Sequence, residues 1–213
     1  MTLRGALRSA LVDTYHFSWR LLIVNTSLSV AVALVVLFVS TFPLVLFIAP
    51  LLAGPVVASL VHCVVTLIRE EEFSLADAVV GLRRFWKRGL VLGAISGVIL
   101  LLGALAVTFY ASERHRVLPL AVLAVYAVLV FFLVLLVGWL FAIAEPDVGI
   151  ADALRRASLL AMQSPARLFT LGAALFLVNL AGAVTVLPLL TLTIAYSFLA
   201  TARFVLPLEE VTT

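Results

Sequence analysis

The side chains of this chain that could do chemistry are few, and they sit in apolar surroundings. Ser59, His62, Cys63 and Thr66 lie inside a hydrophobic run from 44 to 68. At 3.6 residues per turn, Ser59, His62 and Thr66 share one helix face, with Cys63 beside them. Asn25 and Ser29 stand at about the same depth in the preceding apolar run if the two runs are antiparallel helices. Polar groups in hydrocarbon are costly and turn toward protein or water. The spacing therefore predicts a polar cluster of Asn25, Ser29, Ser59, His62 and Thr66 between the first two helices. Two uses fit it: interhelical hydrogen bonds, worth about 0.6 kcal/mol on average, or a pocket for a small molecule or ion. A histidine could also carry a proton or bind a metal, but neither run contains an Asp or Glu to partner it.

Catalytic sets are missing from the sequence. There is no phosphate-binding glycine loop, no His-Glu-x-x-His and no aspartate pair inside an apolar run. The single cysteine, Cys63, allows no intrachain disulfide and no multi-thiolate metal site. Ala94-Ile95-Ser96-Gly97 has part of the Gly-x-Ser-Gly pattern of intramembrane serine proteases, but its first Gly is absent and no histidine occupies a late run. Neither a catalytic residue nor a metal or cofactor site is expected.

The elements that must position these residues are written in the hydropathy. Hydrophobic residues make up 65% of the 213-residue chain and charged residues 12%, with a mean hydropathy of +1.28. Soluble domains average about 45–50% and 25%. Six apolar stretches, at 21–40, 44–68, 89–111, 118–144, 168–187 and 189–207, each approach or exceed the roughly 20 residues that cross a hydrocarbon core about 30 Å thick. The pieces between them are too short for a separate domain. The expectation is one all-α polytopic membrane domain over 1–213, a bundle of six transmembrane helices whose first span is retained.

Charge gives the sides. Twelve basic residues, Arg4, Arg8, Arg20, Arg69, Arg83, Arg84, Lys87, Arg88, Arg155, Arg156, Arg167 and Arg203, fall on one side of such a bundle, and two, Arg114 and Arg116, on the other. The positive-inside rule puts both termini in the cytoplasm. Outer turns then fall near Thr41-Phe42-Pro43, between Ser112 and Pro119, and at Leu187-Pro188. The net charge of +3 is spread over membrane-proximal loops, which suits anionic headgroups rather than nucleic acid. The preference for Arg, Ala, Val and Leu suggests a GC-rich bacterial genome, hence a bacterial inner membrane.

Each long cytoplasmic loop reads as a basic amphipathic helix in the interface. Ser74 and Asp77 form a capping-box pattern, and Leu75, Val79, Leu82 and Trp86 recur on one face. Arg83, Arg84, Lys87 and Arg88 crowd its end, where Phe85 and Trp86 suit the headgroup level. Ile150 to Arg167 is similar: Leu75-Ala76-Asp77-Ala78-Val79 parallels Ile150-Ala151-Asp152-Ala153-Leu154. Ala6-Leu7-Arg8-Ser9-Ala10 in turn matches Ala153-Leu154-Arg155-Arg156-Ala157. These likenesses predict a three-unit internal repeat, 1–68, 69–144 and 145–213, each unit a basic helix followed by two spans. Lipid or partner docking is assigned to Arg83, Arg84, Trp86, Lys87, Arg88, Arg155, Arg156 and Arg167.

Further positions concern packing. Gly89, Gly93 and Gly97 recur every fourth residue and predict a close helix–helix seam; a homodimer face is the alternative. Pro50 and Pro55, with Gly54 between them, predict a kink in the second span. Asn179 is placed to meet Tyr196 and Ser197, Arg203 to reach phosphate level unpaired, and Glu70, Glu71 and Glu72 to be solvated.

Asn25, Pro43, Gly54-Pro55, Arg69-Glu70-Glu71 and the subsequent Phe85-Trp86-Lys87 resemble the pattern of the YesL-like family of bacterial integral membrane proteins, over about residues 17–90. That resemblance implies an accessory role in carbohydrate uptake and transfers no catalytic residue. A non-enzymatic membrane scaffold, docking a partner protein such as a transporter, is the expected function. The alternative is a transport component, a substrate-binding or permease subunit, with its pocket near Asn25 and His62.

Overall fold

The computed structural model describes residues 3–17, 19–26, 30, 45–112, 118–185 and 193–209. Among them every regular element is a helix: α1 (Leu3–His16), α2 (19–26), α3 (Val45–Glu70), α4 (Leu75–Ser112), α5 (Leu118–Ala144), α6 (Ile150–Gln163), α7 (Pro165–Thr185) and α8 (Ile194–Glu209). Three of these helices are long and apolar enough to cross a membrane, four if the bent pair α6–α7 counts as one span. That is the pattern of an all-helical membrane protein. Most of the first apolar stretch, with Ser29, the turn at Thr41-Phe42-Pro43, Arg114, Arg116 and Leu187-Pro188, lies outside the described residues.

The largest departure from the sequence expectation is α4. Residues 75–88 and 89–111 read as an interface helix followed by a span, yet they form one helix of 38 residues. At 1.5 Å per residue it is about 57 Å long, nearly twice a hydrocarbon core. Its N-terminus is set as predicted: the Asp77 carboxylate accepts from the Ser74 N–H at 2.6 Å and from the Ser74 hydroxyl at 3.0 Å. No proline interrupts the helix beyond this cap. Gly89, the natural place for a break, is instead held against α3.

That contact organises the fold. α3 and α4 pack as an antiparallel pair across the turn 71–74, in which Glu71 adopts φ 58° at the helix end. A Cβ on Gly54 would run into the carbonyl of Gly89, and one on Gly89 would lie 2.7 Å from Pro55 Cα. A Cβ on Gly93 would strike the Pro50 carbonyl, and one on Gly97 would come within 2.6 Å of the Pro50 ring. The glycine seam is thus used within the chain, between α4 and the proline-bearing stretch of α3, which remains helical through Pro50 and Pro55. α5 returns along α4, with Gly103 against Val128 and the Trp139 indole donating to Ser96 Oγ at 3.1 Å.

At the other loop the chain does break. α6 and α7 meet at 104° because Ser164 precedes Pro165, and the proline ring drives its predecessor out of the α region (φ −136°, ψ 59°). Pro165 then starts α7, where its missing N–H costs no bond. Ser164 satisfies the end of α6 through its N–H on the Leu160 carbonyl. A short helix ended by a break therefore occurs at α1–α2 and at α6–α7, whereas the middle segment is continuous. Around these, α8 and the later halves of α3 and α5 form the buried centre.

The seam gives a stability prediction. Gly89→Leu is expected to lower the unfolding free energy by at least about 1–3 kcal/mol, the usual cost of overpacking. Gly149→Ala, at φ −65° and with only the mobile end of the Asp152 side chain near an added Cβ, should change it by less than about 0.5 kcal/mol. Thermal unfolding of the two variants in one detergent checks the contrast.

Candidate functional site

Two polar residues of α3, Ser59 and His62, are turned toward α4. Ser59 Oγ donates to the Ala78 carbonyl at 2.6 Å. His62 packs on Gly81, where an added Cβ would lie 2.8 Å from the imidazole, and its ring stands 5.4 Å from that of Phe85. Thr66 is half-buried, and Cys63 is fully buried. Asn25 is engaged elsewhere: its side-chain oxygen accepts the Ala195 N–H at 3.2 Å. That N–H belongs to the first turn of α8, one of the donors a helix start leaves without an intrahelical acceptor. Asn25 thus caps α8, while Ser59 and His62 serve the α3–α4 contact. Asn179 donates to Ser197 Oγ at 2.8 Å, and Tyr196 turns instead to the Leu7 carbonyl at 3.3 Å.

The cations divide into two sets. One set is spent inside the fold. Arg88, half-buried, donates through Nη1 to the Ala142 carbonyl at 2.7 Å and through Nη2 to the Pro146 carbonyl. These are acceptors at and just beyond the C-terminus of α5, which lack intrahelical donors and carry the negative end of the helix dipole. Arg88 thereby fixes the α5–α6 turn to α4. Arg203 is not free to reach lipid phosphate either; it pairs with Asp13, which accepts from Nε at 2.9 Å and Nη2 at 2.8 Å. Arg20 donates to the Phe73 carbonyl, with the Phe17 and Phe73 rings 5.8 Å apart, tying the α1–α2 corner to the α3–α4 turn. The sequence pointed Arg88 to docking, Arg203 to the phosphate level and Arg20 to the cytoplasmic charge, because their partners stand 54, 190 and 53 positions away.

The other set faces outward. Arg83, Arg84 and Lys87 are exposed, and among the described residues none forms a salt bridge. Interleaved with them on the outer side of α4 are Leu75, Val79, Val80, Leu82 and Trp86, all at least one-third exposed. Arg84 lies 5.4 Å from the Phe85 ring and Lys87 5.6 Å from the Trp86 ring. α6 repeats the arrangement: Ala153 and Ala157 are buried, while Arg155, Arg156, Leu159 and Met162 are exposed. Arg156 pairs with Glu145 at 2.8 Å. Asp147, Gly149, Asp152, Arg155, Arg156 and Leu159 line a shallow groove of about 450 Å³ at the α5–α6 turn. Arg167 is exposed at the start of α7.

Chemically, these surfaces can bind charged and apolar groups. Among the described residues, no three of His, Cys, Asp and Glu gather closely enough to hold a metal ion. What the two outward faces share is cations and apolar side chains side by side, the composition of a surface that meets headgroups or an amphipathic partner. Comparison with known proteins adds no constraint: no family model, no curated protein and no solved structure matches this chain.

The contrast between the two sets is measurable. Arg88→Met leaves two carbonyls without their charged donor and is expected to cost about 1–3 kcal/mol, read as a lowered unfolding midpoint in detergent. Arg83→Gln, with no salt bridge to lose among the described residues, should shift it by less than about 0.5 kcal/mol. Equal effects would mean that the Arg88 clamp contributes nothing.

Proposed function

We propose that this chain is a non-enzymatic scaffold of a bacterial inner membrane, which docks a partner protein on the basic faces of α4 and α6. The observation that carries this is the continuity of α4. Leu75–Arg88 and the apolar remainder form one rigid rod, so a load on the cation-bearing end is transmitted to the membrane-embedded end without a hinge. The stretch from Gly89 to Ser112, about 36 Å long at 1.5 Å per residue, suffices to cross a hydrocarbon core. Arg83, Arg84, Trp86 and Lys87 then mark the cytoplasmic headgroup level, with both termini on that side. A partner with an acidic, partly apolar surface fits the interleaved cations and apolar side chains. The resemblance to the YesL-like family suggests a carbohydrate-uptake system as its setting, and the three-unit repeat accounts for two such faces in one chain.

Orientation and docking have separate tests. In a Cys63→Ala background, Met162→Cys on the exposed side of α6 should react with a membrane-impermeant maleimide in inverted vesicles and stay unlabelled in intact cells; the reverse pattern overturns the orientation. Purification in mild detergent from the native host should recover a stoichiometric membrane partner. Recovery should fall at least tenfold for Arg83→Gln/Arg84→Gln/Lys87→Gln and for Arg155→Gln/Arg167→Gln. Wild-type protein isolated alone, or undiminished recovery with both variants, rejects the scaffold role.

A further inference from the structure

The fold leaves a third cationic surface, on the side formed by α1 and α8. Arg4, Leu7, Arg8, Leu11 and Tyr196 line a groove of about 440 Å³. Arg4 and Arg8 are both exposed, and neither forms a salt bridge among the described residues. They stand at i and i+4, neighbours on one helix face about 5–6 Å apart at Cβ, so both guanidinium groups can reach one anion. No carboxylate lines the groove. The acid on α1, Asp13, is occupied by Arg203, which also fixes α1 to α8, as does the Tyr196 hydroxyl on the Leu7 carbonyl.

Exposed apolar side chains follow on α1 and α2. Leu11 is 62% exposed, Tyr15 80% and Trp19 56%, and Val12 and Ile23 are about half exposed. A soluble anion has no use for such side chains, and exposed aromatics of this kind belong at the headgroup level of a bilayer. Arginine binds phosphate through paired, planar N–H donors. Cations at one end and bare aliphatic and aromatic groups along the rest have the polarity of one phospholipid, head and tail. We infer that the α1–α8 groove is a binding site for one anionic phospholipid of the cytoplasmic leaflet, with its phosphate between Arg4 and Arg8 and an acyl chain along Leu7 and Leu11. The site is independent of partner docking on α4 and α6 and stands whether or not a partner exists.

Native mass spectrometry of the full chain, released from detergent containing equal amounts of phosphatidylglycerol and phosphatidylethanolamine, tests it. The wild type should retain one phosphatidylglycerol in preference to phosphatidylethanolamine. Arg4→Gln/Arg8→Gln, two exposed changes that spare the Asp13–Arg203 pair, should weaken that retention at least tenfold. Arg83→Gln/Arg84→Gln should leave it within twofold. Equal retention of both lipids, or undiminished retention in the Arg4/Arg8 variant, overturns the site. Displacement of the lipid by millimolar inorganic phosphate also overturns it, because a free anion would then suffice. Leu11→Ser provides a second arm: the acyl contact predicts a several-fold loss of phosphatidylglycerol with the variant's unfolding midpoint unchanged, and unchanged retention overturns the assignment.

Discussion

The close approach of α3 and α4 at Gly54 and Gly89 is the constraint on which the rest depends. Two backbones come together where no Cβ fits on either side, and at that distance dispersion contacts run along both main chains. The contact also answers a local weakness. A glycine inside a helix costs roughly 0.5–1 kcal/mol relative to alanine, and Gly89 sits between the charged and the apolar parts of α4, where a bend would be easiest. Packed against Pro55, it has no room to bend. The seam that brings the helices together is also what makes α4 one rod.

From that rod the arginines take their roles. Arg88, one residue before Gly89, is close enough to α5 to satisfy its terminal carbonyls, and the α5–α6 turn is set at the same level. Arg83, Arg84 and Lys87 are on the same helix but turn outward, since Gly81, Phe85 and Gly89 occupy the inner face. At the opposite side, Asp13–Arg203 and Arg20–Phe73 close the α1–α2 corner over the ends of α8 and α3. Each internal arginine satisfies an orphan carbonyl or a carboxylate, while Arg83, Arg84 and Lys87 turn outward from α4 and Arg155 and Arg156 lie exposed on α6, Arg156 beside Glu145. Local helix geometry decides which is which.

Much of the local structure was legible in the sequence, and the reason is that its signals are local. The Ser74–Asp77 cap spans three residues and the glycine seam repeats every four; the break at Ser164-Pro165, inside the stretch read as one interface helix, was not anticipated. Asn179 with Ser197 was legible because adjoining antiparallel helices pair at predictable depth. The partners of Arg88, Arg20 and Arg203 were not, since nothing near an arginine in sequence says which distant carbonyl or carboxylate it will reach. The contact of Asn25 with the start of α8 was hidden for a related reason. Its depth in the membrane suggested α3 as neighbour, but the N–H at the start of α8 needed an acceptor, a need that depth alone does not reveal. The continuity of α4 was hidden because a change in composition, from cationic to apolar, looks the same whether the helix ends there or passes through.

The apolar run 44–68 shows the limit of hydropathy most directly. Gly54 stands beside Gly89, and His62 beside Gly81, so the later half of α3 runs alongside the cationic part of α4, not its apolar part. If Arg83 to Arg88 lie at the headgroups, residues 55–68 of α3 pass the hydrocarbon boundary and enter the cytoplasmic end of the bundle. Their surroundings agree. Ala58, Leu60, Val61, Cys63, Val64, Val65 and Leu67 are at most 4% exposed, covered by neighbouring helices, while His62, Thr66 and Ile68 are half-buried. α5 shows both environments in one helix: Val122, Leu123 and Val125 are at least half exposed, while Leu135 to Ala144 are buried throughout. Hydropathy is the same along both halves because it records only that a side chain avoids water. Lipid can cover one half of such a helix and neighbouring helices the other, so the number of apolar stretches is an upper bound on what the bilayer must hold.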